Sequence, residues 1–74
     1  MGWNKILEEH TYHTSDGDFT IIKGEFNGVE RYGVKWSTYP REPVVIPPKF
    51  SKMIRDAIEN DDEDSISNIV DSVQ

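Results

Sequence analysis

Two runs in the first half of the chain are rich in β-branched and aromatic residues and lie on either side of an Asn-Gly pair. The runs cover residues 19–25 and 29–36, and Asn27-Gly28 lies between them. Asparagine and glycine both tolerate the positive φ angles of the tight turn that joins two antiparallel strands. The pattern therefore predicts a β-hairpin over residues 19–38.

The second run separates its apolar side chains from its charged ones. Successive residues point to opposite sides of a strand, which predicts a core face and a water-exposed face for the sheet. The core face would hold Tyr32, Val34 and Trp36, and the exposed face Arg31, Gly33 and Lys35. Gly24 and Gly33 weaken the strand interiors, so each predicts a β-bulge or the close approach of another backbone.

The segment before the hairpin permits two interpretations. Residues 7–14 include Thr11, Tyr12 and Thr14 and run into the turn-forming Ser15-Asp16-Gly17-Asp18, which favours a third antiparallel strand. The alternative is a short helix, which the spacing of four side chains supports: Trp3, Ile6, Leu7 and His10 occur at i, i+3, i+4 and i+7. One turn of helix followed by a strand would satisfy both patterns.

The middle of the chain is rich in proline and precedes a helical pattern. All four prolines lie within residues 40–48, where they exclude helix and allow only a short edge strand at residues 44–46. Proline is tolerated in the first turn of a helix, so a helix is predicted from about 48 to 60. Its apolar face comprises Phe50, Met53, Ile54, Ala57 and Ile58.

A second apolar stripe follows an acidic connector at residues 60–64. Ile66, Ile69, Val70 and Val73 again have helical spacing, which predicts a second helix from about 65 to 73 with Asp64 or Ser65 as its N-cap. An unbroken helix would turn this stripe about 140° away from the first one. Either the chain turns near Asp61 or the second stripe has another partner.

These elements predict an α+β fold in a single small domain over residues 1–74. A β-meander or hairpin of two to four strands, at about residues 7–46, would be covered on one face by the first helix. The chain has 74 residues and 35% hydrophobic residues, which suffices for one modest core built on a few aromatic side chains.

Composition narrows the function classes. The absence of cysteine excludes disulfides and thiolate metal sites, and no apolar run has the length of a signal peptide or a membrane span. We therefore expect a cytoplasmic protein that does not bind membranes. His10 and His13 would point to opposite faces of a strand, so no metal site is expected. The motifs GxSxG, HExxH and the P-loop do not occur. We expect no cofactor and no enzymatic activity.

The charge pattern indicates a binding protein. The formal net charge is −6, and five carboxylates crowd into six residues: Glu59, Asp61, Asp62, Glu63 and Asp64. Such a surface would fit a basic site on another protein. The sequence thus predicts a protein-interaction module, in the form of a small acidic inhibitor or regulator of a nucleic-acid-handling protein. The alternative role for the acidic run is a solvated connector.

Two other surfaces are candidates for contact. The stripe Ile66, Ile69, Val70 and Val73 would bind a partner or form a homodimer if it were exposed, although ordinary core packing is the favoured explanation. The alternative function is nucleic-acid binding by the sheet, through Lys23, Arg31, Lys35 and Arg41 with Tyr32 and Trp36. The alternation argues against this function, because it separates the cations from the aromatic rings.

Overall fold

The computed structural model of the chain describes residues 2–15, 17–37 and 42–73. It has a four-stranded antiparallel sheet followed by two helices, which confirms the predicted small α+β fold with a β-meander. The strands lie in sequence order and are β1 (Trp3–Thr14), β2 (Gly17–Phe26), β3 (Val29–Trp36) and β4 (Val44–Val45). A 3₁₀ turn at Pro48–Phe50 leads into α1 (Ser51–Glu59), and α2 (Glu63–Ser72) follows. Neither helix is long and apolar enough to cross a membrane.

The turn between β2 and β3 has the predicted conformation. Asn27 has a φ angle of 53° and Gly28 one of 84°, so both central residues are left-handed, as a type I′ turn requires. Phe26 and Val29 face each other across it, and the pairing continues to Phe19 and Trp36. The hairpin prediction is confirmed.

β1 is a strand along its whole length, so the strand interpretation of this segment is confirmed and the alternative of a helical turn at its start is wrong. The pairing of β1 with β2 shifts register twice, between Trp3 and Lys5 and between Ile6 and Glu8. Each shift inserts an extra residue and moves the following side chains to the other face. Trp3, Ile6 and Glu9 consequently share one face at a spacing of three. This spacing imitates a helix.

The core lies between one face of the sheet and both helices. β2 and β3 contribute Phe19, Ile21, Tyr32 and Val34, the segment after β4 contributes Ile46, and the helices contribute Ile54, Ala57, Ile66, Ile69 and Val70. The second apolar stripe is therefore part of the core. Of the two predicted possibilities, the chain turns at Asp61, and both stripes contribute to the same core, although Met53 of the first stripe is 56% exposed.

The turn between the helices depends on a left-handed aspartate. Asp61 has a φ angle of 54°, and its N–H donates to the carbonyl of Ile58 while the N–H of Asp62 donates to that of Ala57 at 2.8 Å. This is the Schellman pattern that ends many helices, usually with glycine in the left-handed position. Aspartate is one of the few other residues that tolerate the conformation.

The N-cap of α2 is Asp62, rather than Asp64 or Ser65 as predicted. The Asp62 side chain accepts hydrogen bonds from the Ser65 backbone N–H at 3.2 Å and from the Ser65 hydroxyl at 2.7 Å. α2 therefore begins at Glu63, earlier than predicted, and the connector shrinks to residues 60–62. Aspartate is a strong cap because its carboxylate satisfies an amide that has no partner within the helix.

The sheet face away from the helices is partly apolar, which corrects the prediction of a water-exposed basic face. The Trp3 ring lies against both strand glycines: a Cβ atom at Gly33 would stand 2.6 Å from Trp3 Cζ2. Trp3 Nε1 donates to the carbonyl of Pro43 at 2.9 Å, and the ring centroid lies 5.2 Å from that of Phe26. Ile22, on the same face, is only 3% exposed.

Candidate functional site

Two concave surfaces of opposite charge lie at the two ends of the central hairpin. One lies beside Phe19 and Trp36, and the other beside Lys23 and Tyr32. Lys23 lies four positions after Phe19 on β2, which corresponds to about 13 Å along the strand. We call the first the acidic groove and the second the cationic cleft.

The acidic groove has a volume of about 330 Å³ and lies between α2 and the end of the β1–β2 hairpin. Its charged lining comprises Glu63, Asp64, Asp71 and His13, and its aromatic lining comprises Phe19 and Trp36. Asp64 and Asp71 are seven residues apart, which places them on the same side of α2 two turns apart. The two rings pack with their centroids 5.2 Å apart, and Trp36 stays half-buried.

The groove is acidic because almost nothing in it balances its carboxylates. No lysine or arginine lines it among the described residues. His13 is largely exposed, and its Nδ1 lies 3.0 Å from Asp18 Oδ2. The same acidic end affects Tyr12: burial raises the pKa of its hydroxyl, and the charges of Asp61 and Glu63 raise it further.

The predicted acidic segment divides between structural and free positions. All five of its residues are exposed. Asp62 is occupied as the N-cap, and the hydrogen bonds from Ser65 lower the pKa of its carboxyl. Glu63 and Asp64 lie in the first turn of α2, where negative charge also favours the helix dipole. Asp71, which is outside the segment, joins these two in the groove, so the acidic surface extends along α2.

The predicted apolar contact stripe offers no surface to a partner. Ile66 and Val70 are 0% exposed and Ile69 is 3% exposed, while Val73 is partly buried against the same core. A homodimer through this stripe would require α2 to leave the sheet. The stripe is buried because the turn at Asp61 directs this face of α2 toward the sheet.

The residues predicted for nucleic-acid binding do not form one surface. Tyr32 is 9% exposed and belongs to the core, so no base can stack on it. Lys23 pairs with Tyr32 on the helix side of the sheet, whereas Lys35 pairs with Thr20 on the other side. Arg41 lies outside the described residues.

The cationic cleft was predicted only in part: Lys23, Arg31 and Tyr32 belong to the set suggested for nucleic-acid binding, whereas Lys52 and Arg55 of α1 were not predicted. It has a volume of about 490 Å³ and is lined by four cations, one carboxylate and a tyrosine: Lys23, Arg31, Lys52, Arg55, Glu30 and Tyr32. The cations come in pairs from the hairpin and from α1, more than twenty residues apart in sequence. Only the docking of α1 on the sheet brings them together. The available signal was that α1 places its cations in its first half.

The histidines do not converge on a metal site. His10 Nε2 lies 3.2 Å from Glu8 Oε1, and His13 pairs with Asp18 on the opposite face. Within the described ranges, no group of three or more potential ligands is positioned to hold a metal ion. Comparison with known proteins gives no match to a family model, to a curated protein or to a solved structure.

Proposed function

We propose that this protein is a non-enzymatic interaction module whose acidic groove docks on an arginine- or lysine-rich segment of a partner protein. The observation that supports the proposal is the composition of the groove. Three exposed carboxylates, Glu63, Asp64 and Asp71, line the same groove as the half-buried Trp36, and no lysine or arginine is among the described lining residues.

This combination suits a guanidinium group. A planar cation that stacks on an indole ring gains about 0.5 to 2 kcal/mol, with the higher value when water is excluded. Carboxylates beside the ring accept charge-assisted hydrogen bonds from the same group, and arginine offers two parallel donors. The groove would therefore favour arginine over lysine at the position above Trp36.

The charge of the whole molecule supports the same partner class. A net charge of −6 accelerates encounter with a basic surface and repels acidic ones. Basic surfaces of this kind are typical of proteins that bind nucleic acid. We infer that the partner is such a protein and that docking blocks or regulates its basic site. From Glu63 to Asp71 the acidic edge spans about 12 Å by helical rise, which matches a short basic segment.

The test is a titration of ¹⁵N-labelled protein with a short oligo-arginine peptide, followed by NMR. The two tryptophans provide a reporter and an internal reference, because Trp36 lines the groove while Trp3 is hydrogen-bonded to Pro43 on the other face. We expect the indole N–H signal of Trp36 to move in a saturable way and that of Trp3 to stay. Added salt should weaken the binding.

A matched pair of triple variants separates the groove from general acidity. Glu63→Gln, Asp64→Asn and Asp71→Asn together should abolish the shift of Trp36. The control changes net charge equally outside the groove, with Glu9→Gln, Glu25→Gln and Glu42→Gln, and should keep most of the affinity. If both triple variants weaken binding equally, or if the Trp36 signal does not respond, the proposal is wrong.

A further inference from the structure

We propose that the cationic cleft is a second binding site, which takes a compact ligand carrying two or more phosphate groups. The site is distinct from the acidic groove, and the proposal does not depend on the function proposed above. It rests on the convergence of charges from two elements, on the charge pattern of α1 and on the size of the cleft.

The convergence comes from one turn of helix facing the hairpin. Lys52 and Arg55 are three residues apart on α1 and so lie on one side of it. Lys23 faces them from the helix side of β2, and Arg31 also lines the cleft, although its position in β3 belongs to the other side of the sheet. Lys23 is partly neutralised, since its Nζ lies 3.6 Å from Glu30 Oε1 and 4.0 Å from Glu8 Oε2.

The lining nevertheless retains an excess of positive charge. Four cations face one carboxylate, Glu30. Arg55 has a carboxylate neighbour outside the lining, with its Nε 3.7 Å from Asp56 Oδ1. Lysine and arginine in such a cluster are the usual donors to phosphate oxygens.

The charge pattern of α1 opposes its own helix dipole. Its first turn contains Lys52 and no acidic residue, its last turn contains no basic residue, and Glu59 ends it. Cations near the N-terminus and anions near the C-terminus both destabilise a helix. α2 has the favourable pattern, with Glu63 and Asp64 in its first turn. Helix stability therefore explains the acidic residues of α2, whereas the cations of α1 need another reason, and an anion in the cleft supplies one.

The size and surroundings of the cleft favour a compact ligand over a long polymer. A volume of about 490 Å³ lies in the range of small-molecule sites. Because the cleft concentrates half of the eight basic residues of a chain with net charge −6, the remaining surface is strongly acidic. A nucleic-acid strand that continued beyond the cleft would meet that surface and be repelled.

The test is calorimetric titration of the full chain with inorganic pyrophosphate, with ADP and with a short single-stranded oligonucleotide. We expect saturable binding of pyrophosphate and ADP that weakens with added salt. Lys52→Gln should weaken it roughly tenfold, the loss typical of one charge-assisted contact. Lys35→Gln makes the same charge change on an exposed residue outside the cleft and should leave affinity within about twofold of wild type.

The stability of Lys52→Gln and the binding of an oligonucleotide serve as controls. Lys52→Gln should not lower the unfolding midpoint, because it removes a cation from the start of a helix. Two results would overturn the proposal: equal losses from Lys52→Gln and Lys35→Gln, or no saturable binding of pyrophosphate and ADP. Tighter binding of the oligonucleotide than of ADP would replace it with a nucleic-acid site. The groove triple variant should still bind pyrophosphate, so the two proposals can fail separately.

Discussion

At the scale of single residues, the packing of Trp3 on Gly33 covers the helix-free face of the sheet. The indole fills the space that a side chain at Gly33 would need, and it also lies 3.3 Å from the Cβ position of Gly24. Glycine has a low strand propensity, so both positions weaken their strands. The Trp3 ring fills the space above them, covers this face and leaves Ile22 nearly inaccessible to water.

Gly33→Ala should therefore destabilise the protein by about 1 to 3 kcal/mol, the usual range for overpacking. The new methyl group would meet two Trp3 ring carbons, at 2.6 and 2.9 Å, and the carbonyl oxygen of Val44 at 3.1 Å. Urea unfolding of the wild type and the variant measures the change in free energy of unfolding.

The double-mutant cycle with Trp3→Ala identifies the cause. In the Trp3→Ala background most of the cost of Gly33→Ala should disappear, which gives a coupling energy of about 1 kcal/mol or more. If the cost were the same in both backgrounds, the clash with Trp3 would not be its source. The alternation of β3 pointed to a special role for Gly33, but the occupant lies thirty residues away and could not be read from the strand itself.

At the scale of elements, the sequence predicts best where a local rule fixes the geometry. Asn27-Gly28 specified its turn because few residue pairs accept two left-handed conformations. The two helices were predicted because their apolar stripes repeat with helical spacing. The same rule failed for β1. Its two bulges give residues on one face a spacing of three instead of two, and the bulges become visible only in the pairing of β1 with β2.

The bulges also serve the edge of the sheet. β1 pairs with a neighbour on one side only, so its other side offers free backbone groups to another strand. Irregular pairing and charged residues such as Lys5, Glu8 and Glu9 are devices that discourage such edge-to-edge association. The bulges that made β1 resemble a helix in the sequence thus also protect the edge of the sheet.

The N-cap of α2 provides a prediction at this scale. Asp62→Ala should lower the melting temperature by roughly 4 to 8 °C, because Ser65 loses its acceptor. Asp62→Asn keeps a capping oxygen and should retain most of the stability, and Asp64→Ala should have a smaller effect than Asp62→Ala. A larger loss from Asp64→Ala would contradict the assignment of Asp62 as the cap.

The same cap sets a pH dependence. The pKa of Asp62 is lowered in the folded protein from its ordinary value of 3.8, first by the hydrogen bond from the Ser65 side chain and then by that from its backbone. A lowered pKa means that the contribution is present above pH 3.8 and is lost as the pH falls through the folded value. Melting curves of Asp62→Ala and the wild type should therefore converge in acid.

At the scale of the whole molecule, the binding surfaces are products of docking. The cationic cleft exists because the docking of α1 brings Lys52 and Arg55 close to Lys23 and Arg31. No spacing pattern along the chain predicts this contact. The acidic groove was predicted in part, since Glu63 and Asp64 belong to the acidic run. The contributions of Asp71 and Trp36 required the position of α2 on the sheet.

Phe19 and Trp36 pack together but have different roles. Phe19 is 2% exposed and lies between Tyr12 and Trp36, with ring centroids 5.6 and 5.2 Å away. Phe19→Ala should cost about 3 to 5 kcal/mol. A chain of 74 residues has a total stability of only about 4 to 11 kcal/mol, so the variant should lose a large part of it, measured as a lower unfolding midpoint by circular dichroism.

Trp36→Ala should destabilise the protein clearly less than Phe19→Ala. Part of the Trp36 ring faces the acidic groove, so removing that part breaks no core contacts. The sequence placed Trp36 on the core face of β3, and in the structure Trp36 is only half-buried against the core while Phe19 is fully inside it. The folded Trp36→Ala variant should also lose affinity for oligo-arginine while retaining its affinity for pyrophosphate. A cost equal to that of Phe19→Ala, with peptide binding intact in the folded fraction, would make Trp36 a purely structural residue and remove the aromatic half of the proposed docking site.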